Sequence, residues 1–406
     1  MREGLDRQAT SISPSLFVGE GAPAWGECQK AASMGIKAKL GDAQRQSLIN
    51  SRYIDFLTKS WSYLFLLALV VYFSVTGTGF FSVRNFSSIL TTSTLIMLMS
   101  IGQTYVVITA GIDLSIGWTV GLSSVTTARV MRDLADSGND VAYAMLAGVF
   151  AGLLVALIPG LINGLLVARV KVPPFIATLG MFGIVRGAAF LLTDGQQVVR
   201  GLSSELRESL RMIGNGSLLY YIPDDGFHWF ALPPDLEPQQ LRVVSQLLPY
   251  PVIITALVVV VFAFILARTK FGRHTYVIGG SEEAARRSGI NVDRHLVIIY
   301  VICGFTAGIA GVLHLFRFTA GAPQAGEAAL LSSVAAVVIG GTNLFGGEGD
   351  IMGAVIGSLI IAVLQTGLVI LNIDSIWQFI VVGIVIIIAV LVNQLQNALE
   401  RMQANV

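Results

Sequence analysis

Gly279-Gly280-Ser281-Glu282-Glu283-Ala284-Ala285-Arg286-Arg287-Ser288-Gly289-Ile290 stands between two apolar stretches, 250–267 and 295–317. Glu282 with Arg286 and Glu283 with Arg287 are carboxylate-to-guanidinium pairs in i,i+4 order, the favourable orientation on a helix surface. The segment is therefore expected to be a short exposed helix. A compact charged helix held between membrane spans is a handle on which something outside the membrane can push.

The surrounding chain agrees with a membrane setting. Of 406 residues, 54% are hydrophobic and 13% charged, where soluble domains carry about 25% charged residues. The mean hydropathy is +0.73. Ten apolar stretches approach the ~20 residues that a helix needs to cross a bilayer: roughly 60–81, 88–110, 114–130, 142–167, 174–193, 250–267, 295–317, 329–344, 351–372 and 376–393. The fold class is thus all-α, a polytopic membrane helical bundle of about ten spans. Ala147–Gly164 and Cys303–Gly311 are rich in small residues, which let helix backbones approach closely in lipid.

Several function classes are excluded. A net charge of +1 offers no field for nucleic acid. Cys28 and Cys303 support neither a disulfide framework nor a metal site. No His/Cys/Asp/Glu spacing suits a metal and no nucleophile–base pattern occurs, so no catalytic or metal residue is assigned. No lysine follows a glycine, which rules out a phosphate loop of the G-x-x-x-x-G-K-[ST] type. If ATP drives this protein, another chain binds it.

Lys and Arg set the orientation. Residues 1–59 hold eight of them, Arg169 and Lys171 mark a second segment, and Arg268, Lys270, Arg273, Arg286, Arg287 and Arg294 a third. Ten crossings place all three on the cytoplasmic side, with both termini. Arg129 and Arg132 fall outside, accompanied by Asp133, Asp136 and Asp140. Residues 1–56 have no continuous apolar run of the kind a cleavable signal needs; they form an N-terminal cytoplasmic extension, with helical potential near Ala43–Leu57. Residues 57–396 form the membrane domain and 397–406 a cytoplasmic tail. The segment 194–249 is an external loop whose prolines favour turns, with a short surface helix at Ser203–Met212.

Polar groups among the spans are the remaining candidates. In Gly111-Ile112-Asp113-Leu114-Ser115-Ile116-Gly117, Gly111 can end one helix and Asp113 or Ser115 can cap the next. A broken helix can also offer polar groups to a solute. Val107–Leu114 is echoed by Val337–Leu344, which brings Gly341 and Asn343 into register with Gly111 and Asp113. Gln103, Asp113, Ser115, Asn163 and Asn343 are the candidate lining of a solute path, while Gln103, Asn163, Gln365 and Gln378 equally suit bonds between helices. Arg186, deep in 174–193, must pair or face a cavity; an ion pair or a carbonyl clamp is expected. His314 and Arg317 are expected to be interfacial and solvated.

Five stretches in order, VITAGIDLSIG (Val107–Gly117), VPPFIATLGMFGIVRG (Val172–Gly187), Thr193-Asp194-Gly195, FGRHTYVIGGSEEAARRSGI (Phe271–Ile290) and AAVVIGGTNLFGGEGDIMG (Ala335–Gly353), resemble the permease subunits of ribose- and xylose-type ATP-binding-cassette sugar importers. The resemblance covers about 85–393. It implies a type II importer-like fold in the bacterial inner membrane and a second permease copy, as homodimer or heterodimer. It also implies a separate ATPase subunit holding Mg-ATP, and a periplasmic sugar-binding protein that carries most of the selectivity. The family's coupling helix falls on Ser281, Glu282, Glu283, Arg286, Arg287, Ser288 and Gly289, within the cytoplasmic segment 268–294. The chain departs from the family at Leu330 and Ser332, where acidic residues are usual, at Asp350, and in a longer, proline-rich 194–249 loop. The rival classes are an ion-coupled secondary sugar transporter, for which Asp113 is one candidate carboxylate though it reads better as a cap, and a passive channel, which has no use for a charged cytoplasmic helix.

Overall fold

The computed structural model describes residues 61–198, 202–223, 225–233, 243–374, 376–385, 387–388 and 390–391. The chain divides at Thr58 and Lys59 into two compact units, and every described residue belongs to the second. The readings for 1–56, Ala43–Leu57 and 397–406 lie outside the described residues.

Each of the ten apolar stretches contains a helix. They are α1 (Trp61–Thr76), α2 (Val83–Ile108), α3 (Ile116–Asp136), α4 (Val141–Ala168), α5 (Pro174–Leu191), α7 (Tyr250–Arg268), α10 (Val292–Phe318), α11 (Glu327–Ile339) and α12 (Ile351–Ile370), followed by α13 (Ile376–Val385). Between α5 and α7 lies α6 (Ser204–Asn215), and between α7 and α10 lie α8 (Lys270–Gly280) and α9 (Glu282–Arg287). Six of these, α2, α4, α5, α7, α10 and α12, are long and apolar enough to cross a membrane. The other four are shorter or more polar; α3 carries Arg129, Arg132, Asp133 and Asp136 in its last two turns.

Local chemistry explains the helix starts. Side-chain oxygens of Ser82, Asp140, Asn291 and Asp350 accept first-turn amides of α2, α4, α10 and α12, satisfying donors that have no partner inside the helix. Prolines open α5 and α7, where the missing N–H costs nothing.

Burial separates an inner from an outer set. The apolar windows of α2, α10 and α12 are 83%, 67% and 61% buried, against 22–28% for α4, α5 and α7. α10 packs on α4, α3 and α2, and α2 on α12. The α4–α10 contact is a small-residue seam: a Cβ on Gly160 would overlap the Tyr300 carbonyl, and one on Gly164 would stand 2.7 Å from Val297 Cα. Backbones approach this closely only without side chains between them.

The described residues of the 194–249 segment hold more regular structure than its prolines imply. The surface helix appears as α6, with Leu206 and Leu210 fully buried against α10. A three-stranded antiparallel sheet follows, in order β2-β1-β3, with β1 Leu219–Ile222, β2 Gly226–Trp229 and β3 Ser245–Gln246. An all-helical reading missed it because these strands are two to four residues long, too short to show a period.

The echoed segments end their helices alike. Gly111 N–H donates to Val106 O and Ala110 N–H to Val107 O; Thr342 N–H donates to Val337 O and Gly341 N–H to Val338 O. The left-handed residue is Ala110 (φ 59°) in the first case and Gly341 (φ 91°) in the second, so the helix ends sit one residue out of step with the sequence echo. The side-chain turn keeps the sequence register: Asp113 Oδ1 accepts Ser115 N–H at 2.8 Å and Asn343 Oδ1 accepts Phe345 N–H at 3.0 Å.

Candidate functional site: a charged knob wired to a buried polar break

α9 is the expected short helix. Ser281 caps it by accepting Ala284 N–H at 3.2 Å, and buried Ala285 anchors it to the core. The anticipated pairs are formed, with Arg286 Nη2 2.8 Å from Glu282 Oε1 and Arg287 Nη2 2.6 Å from Glu283 Oε1. Ser288 Oγ donates to Ala284 O at 2.9 Å, and Gly289 closes the turn in the left-handed region (φ 80°). Two groups join that no linear spacing announced. Lys171 Nζ lies 3.3 Å from Glu282 Oε1 and 3.1 Å from Asp293 Oδ1, and Arg286 also bridges to Asp293.

The electrostatics follow. The Arg286 guanidinium holds the Glu282 carboxyl below the ordinary glutamate value of 4.5, with Lys171 adding to the effect. Asp293 and Glu282 push Arg286 upward. A lowered folded-state value means that the pair's contribution is fully present above 4.5 and fades as pH falls through the folded value. The pair is half-exposed, so the contribution is small, about 0.3–0.5 kcal/mol. A stability difference of that size between the wild type and Glu282→Gln near neutral pH, shrinking to nothing in acid, is the expected outcome of thermal melts in detergent.

Asp113 lies in the break between α2 and α3, 2% exposed. Its Oδ1 accepts from Ser115 N–H at 2.8 Å and Ser115 Oγ at 2.6 Å. Asn163 Nδ2 of α4 donates to Ser115 Oγ at 3.0 Å. Gln103 of α2 clamps the Asp113 backbone, Nε2 to O at 2.6 Å and N–H to Oε1 at 3.2 Å. Thr178 of α5 donates to Ile112 O at 2.9 Å. Gly111 is needed because a Cβ there would stand 2.8 Å from the Tyr300 hydroxyl. Four of the five path candidates thus meet in one network buried within the chain. Asn343 is apart from them, half-buried in the α11–α12 turn.

Two hydrogen-bonded routes join the knob to this break. The first runs from Glu282 through Lys171 to the start of α5, and from Thr178 to Ile112 O. The second runs along α8, where Tyr276 Oη donates to Gly349 O at 2.7 Å, into the α11–α12 turn, whose Gly347 N–H donates to Ile108 O at 2.8 Å. The sequence singled out neither Thr178 nor Tyr276, since a threonine and a tyrosine in apolar helices carry no signature.

Two other expectations are corrected. Among the described residues Arg186 makes neither an ion pair nor a carbonyl clamp: its guanidinium lies 5.1 Å over the Trp118 ring and 5.8 Å over Phe190, a cation–π arrangement. Arg317 is no solvated end group. It donates to Thr91 O at 2.8 Å, and with His314 it lines a cavity.

Residues 85–390 match the protein family described as branched-chain amino acid transport system / permease component. The ribose import permease protein RbsC of Escherichia coli (strain K12) is 34% identical over 86% of this chain and 98% of its own length. The ribose import permease protein RbsC of Bacillus subtilis (strain 168) is 36% identical over 84% and 94%. The xylose transport system permease protein XylH of Haemophilus influenzae is 34% identical over 82% and 95%. No solved structure matches the chain. An integral membrane bundle with a charged knob between two spans, matched along three quarters of its length, belongs to this family of transport-system permease components.

Proposed function

We propose that the chain is the membrane-spanning permease of an ATP-driven bacterial importer for a monosaccharide or polyol. The relatives that match nearly end to end bear ribose and xylose in their names, which favours a sugar over an amino acid as cargo. ATP with its magnesium is bound by a separate ATPase subunit, a periplasmic binding protein delivers the solute, and a second permease copy completes the path, all within inner-membrane lipid. The knob, the 169–171 turn and both termini face the cytoplasm, where Lys and Arg concentrate; α6 and the small sheet face the periplasm.

The observation that carries this reading is the double hydrogen-bonded connection from α9 to the break at Asp113. A charged helix cross-braced to two loops moves as a unit, and what it moves is the junction of the most buried span. A proton-coupled transporter needs a carboxylate that exchanges protons with water; Asp113 is instead closed in by Ser115, Asn163 and the backbone it caps.

The test is reconstitution in liposomes with the ATPase subunit and the binding protein. Sugar accumulation that requires ATP supports the reading, and accumulation on an ion gradient alone refutes it. ATP-driven uptake of leucine but no sugar would move the cargo to the class in the family description. Glu282→Arg combined with Arg286→Glu preserves their mutual pair while setting like charges against Lys171 and Asp293. Uptake and receptor-stimulated hydrolysis should both fall at least about tenfold, equivalent to ~1.4 kcal/mol of coupling, with the protein still inserted. Unchanged stimulation would remove α9 from the coupling role.

A further inference from the structure

Two cavities follow each other at the end of the bundle opposite the knob. The outer basin, about 410 Å³, is lined by Ser87, Thr91, Asn215 and Gln246 among others. The inner chamber, about 250 Å³, lies among α2, α10, α11 and α12, with Thr92, Thr94, His314 and Gln365 as its polar groups. Arg317 lines both. Its guanidinium donates to Thr91 O at 2.8 Å and Thr92 Oγ1 at 3.5 Å and lies 5.4 Å over the Phe318 ring. It therefore stands as the partition between the two spaces.

The chamber holds polar groups that the chain leaves unanswered. His314 Nδ1 is buried without a hydrogen-bond partner among the described residues. Gln365, half-buried on a membrane span, makes no hydrogen bond to the described residues. An unpaired polar group in such a place is costly, so an occupant that both donates and accepts is favoured. Imidazole and carboxamide each offer a donor and an acceptor, which is also what a hydroxyl offers. Among the described residues no carboxylate lines either space, and the one guanidinium of the chamber is already engaged. The remaining walls, Leu95, Leu98 and Leu313 among them, suit the C–H faces of a small ring. The volume is just below the range of drug-sized sites.

We propose that this chamber is a transient subsite for one neutral polyhydroxylated solute of monosaccharide size, entered from the outer basin past Arg317 and held through His314 and Gln365. The inference rests on the permease reading and adds to it a place for the cargo inside one chain, away from the Asp113 network. Among the described residues His314 and Gln365 are the main groups left to answer the solute's hydroxyls, so affinity is low and release fast, as a path requires.

The test uses purified full-length protein carrying Ala329→Cys, a buried position on the chamber wall, with Cys28→Ser and Cys303→Ser to clear the background. A water-soluble methanethiosulfonate should label the new cysteine. Ribose, xylose, fructose or allose at about 10 mM, a concentration suited to a weak site, should slow the labelling. His314→Leu with Gln365→Leu should raise the protecting concentration about tenfold, and Gln365→Asn should restore part of the loss. Absence of labelling overturns the proposal, because a chamber sealed from water admits no sugar. Labelling indifferent to all four sugars overturns it, and so does protection by sodium phosphate or acetate in their place. The readout needs neither ATPase nor receptor, so it is distinguishable from failure of the importer reading: protection without ATP-driven uptake would leave a sugar site in a transporter of another class.

Discussion

Asp113→Leu is expected to leave little folded protein. The substitution strips Ser115 N–H and Ser115 Oγ of the acceptor they share and places a bulky side chain where Asn163 reaches in. Each buried donor left unanswered costs ~1–3 kcal/mol, so two remove about 2–6 kcal/mol from a total that is commonly only 5–15. Asp113→Asn keeps an oxygen acceptor at the same place without the charge, and should retain most of the yield. The measurement is monodisperse protein recovered from detergent, with thermal melts of both variants. Leucine at normal yield but with altered sugar preference would mean that Asp113 touches cargo and that the cap is secondary.

Gly279→Val should be as damaging, by a different mechanism. A Cβ at Gly279 would overlap the Ile108 carbonyl oxygen and stand 2.6 Å from Gly347 N. Those two atoms are hydrogen-bonded to each other at 2.8 Å, so α8 lies directly on the junction of the α2 end and the α11–α12 turn. Backbone atoms cannot rotate away as a side chain can, and overpacking of this kind costs about 1–3 kcal/mol or more. The expected phenotype is loss of coupling along with stability: receptor-stimulated hydrolysis falls further than folded yield does, because the second route from the knob is wedged open. Gly280→Val, one residue on, is the control, since a Cβ there meets nothing within 4 Å. Equal behaviour of the two variants would mean that close packing at this junction has no part in coupling.

These two sites were unequally legible from residue order. The Asp113 cap is a local matter: a short acceptor side chain just after a helix end bonds its own backbone two residues on, and Gly111-Ile112-Asp113-Leu114-Ser115 carries that information in itself. The knob pairs are equally local, since i,i+4 geometry follows from helix pitch. Lys171 was legible only as a positive charge beside Arg169 in a short segment between two apolar stretches. Its two carboxylate partners lie more than a hundred residues away, and no periodicity encodes such a meeting. The same holds for Gln103 and Asn163, which could have bonded any neighbouring helix, and for Arg186, whose aromatic partner Trp118 sits on a different span.

Hydrophobic spacing alone determined that this chain crosses a membrane as a helical bundle, because apolar length and turn chemistry act within a span of ~20 residues. The expected orientation, from Lys and Arg placement, rests on the same local basis. Which polar groups converge was decided only by tertiary packing. The glycine seam that lets α4 close on α10 sets how near Asn163 comes to Asp113, and the crossing of α2, α10 and α12 sets whether His314 and Gln365 face lipid or share a chamber. Helix rotation and approach depend on every contact at once, so no single stretch of sequence contains them.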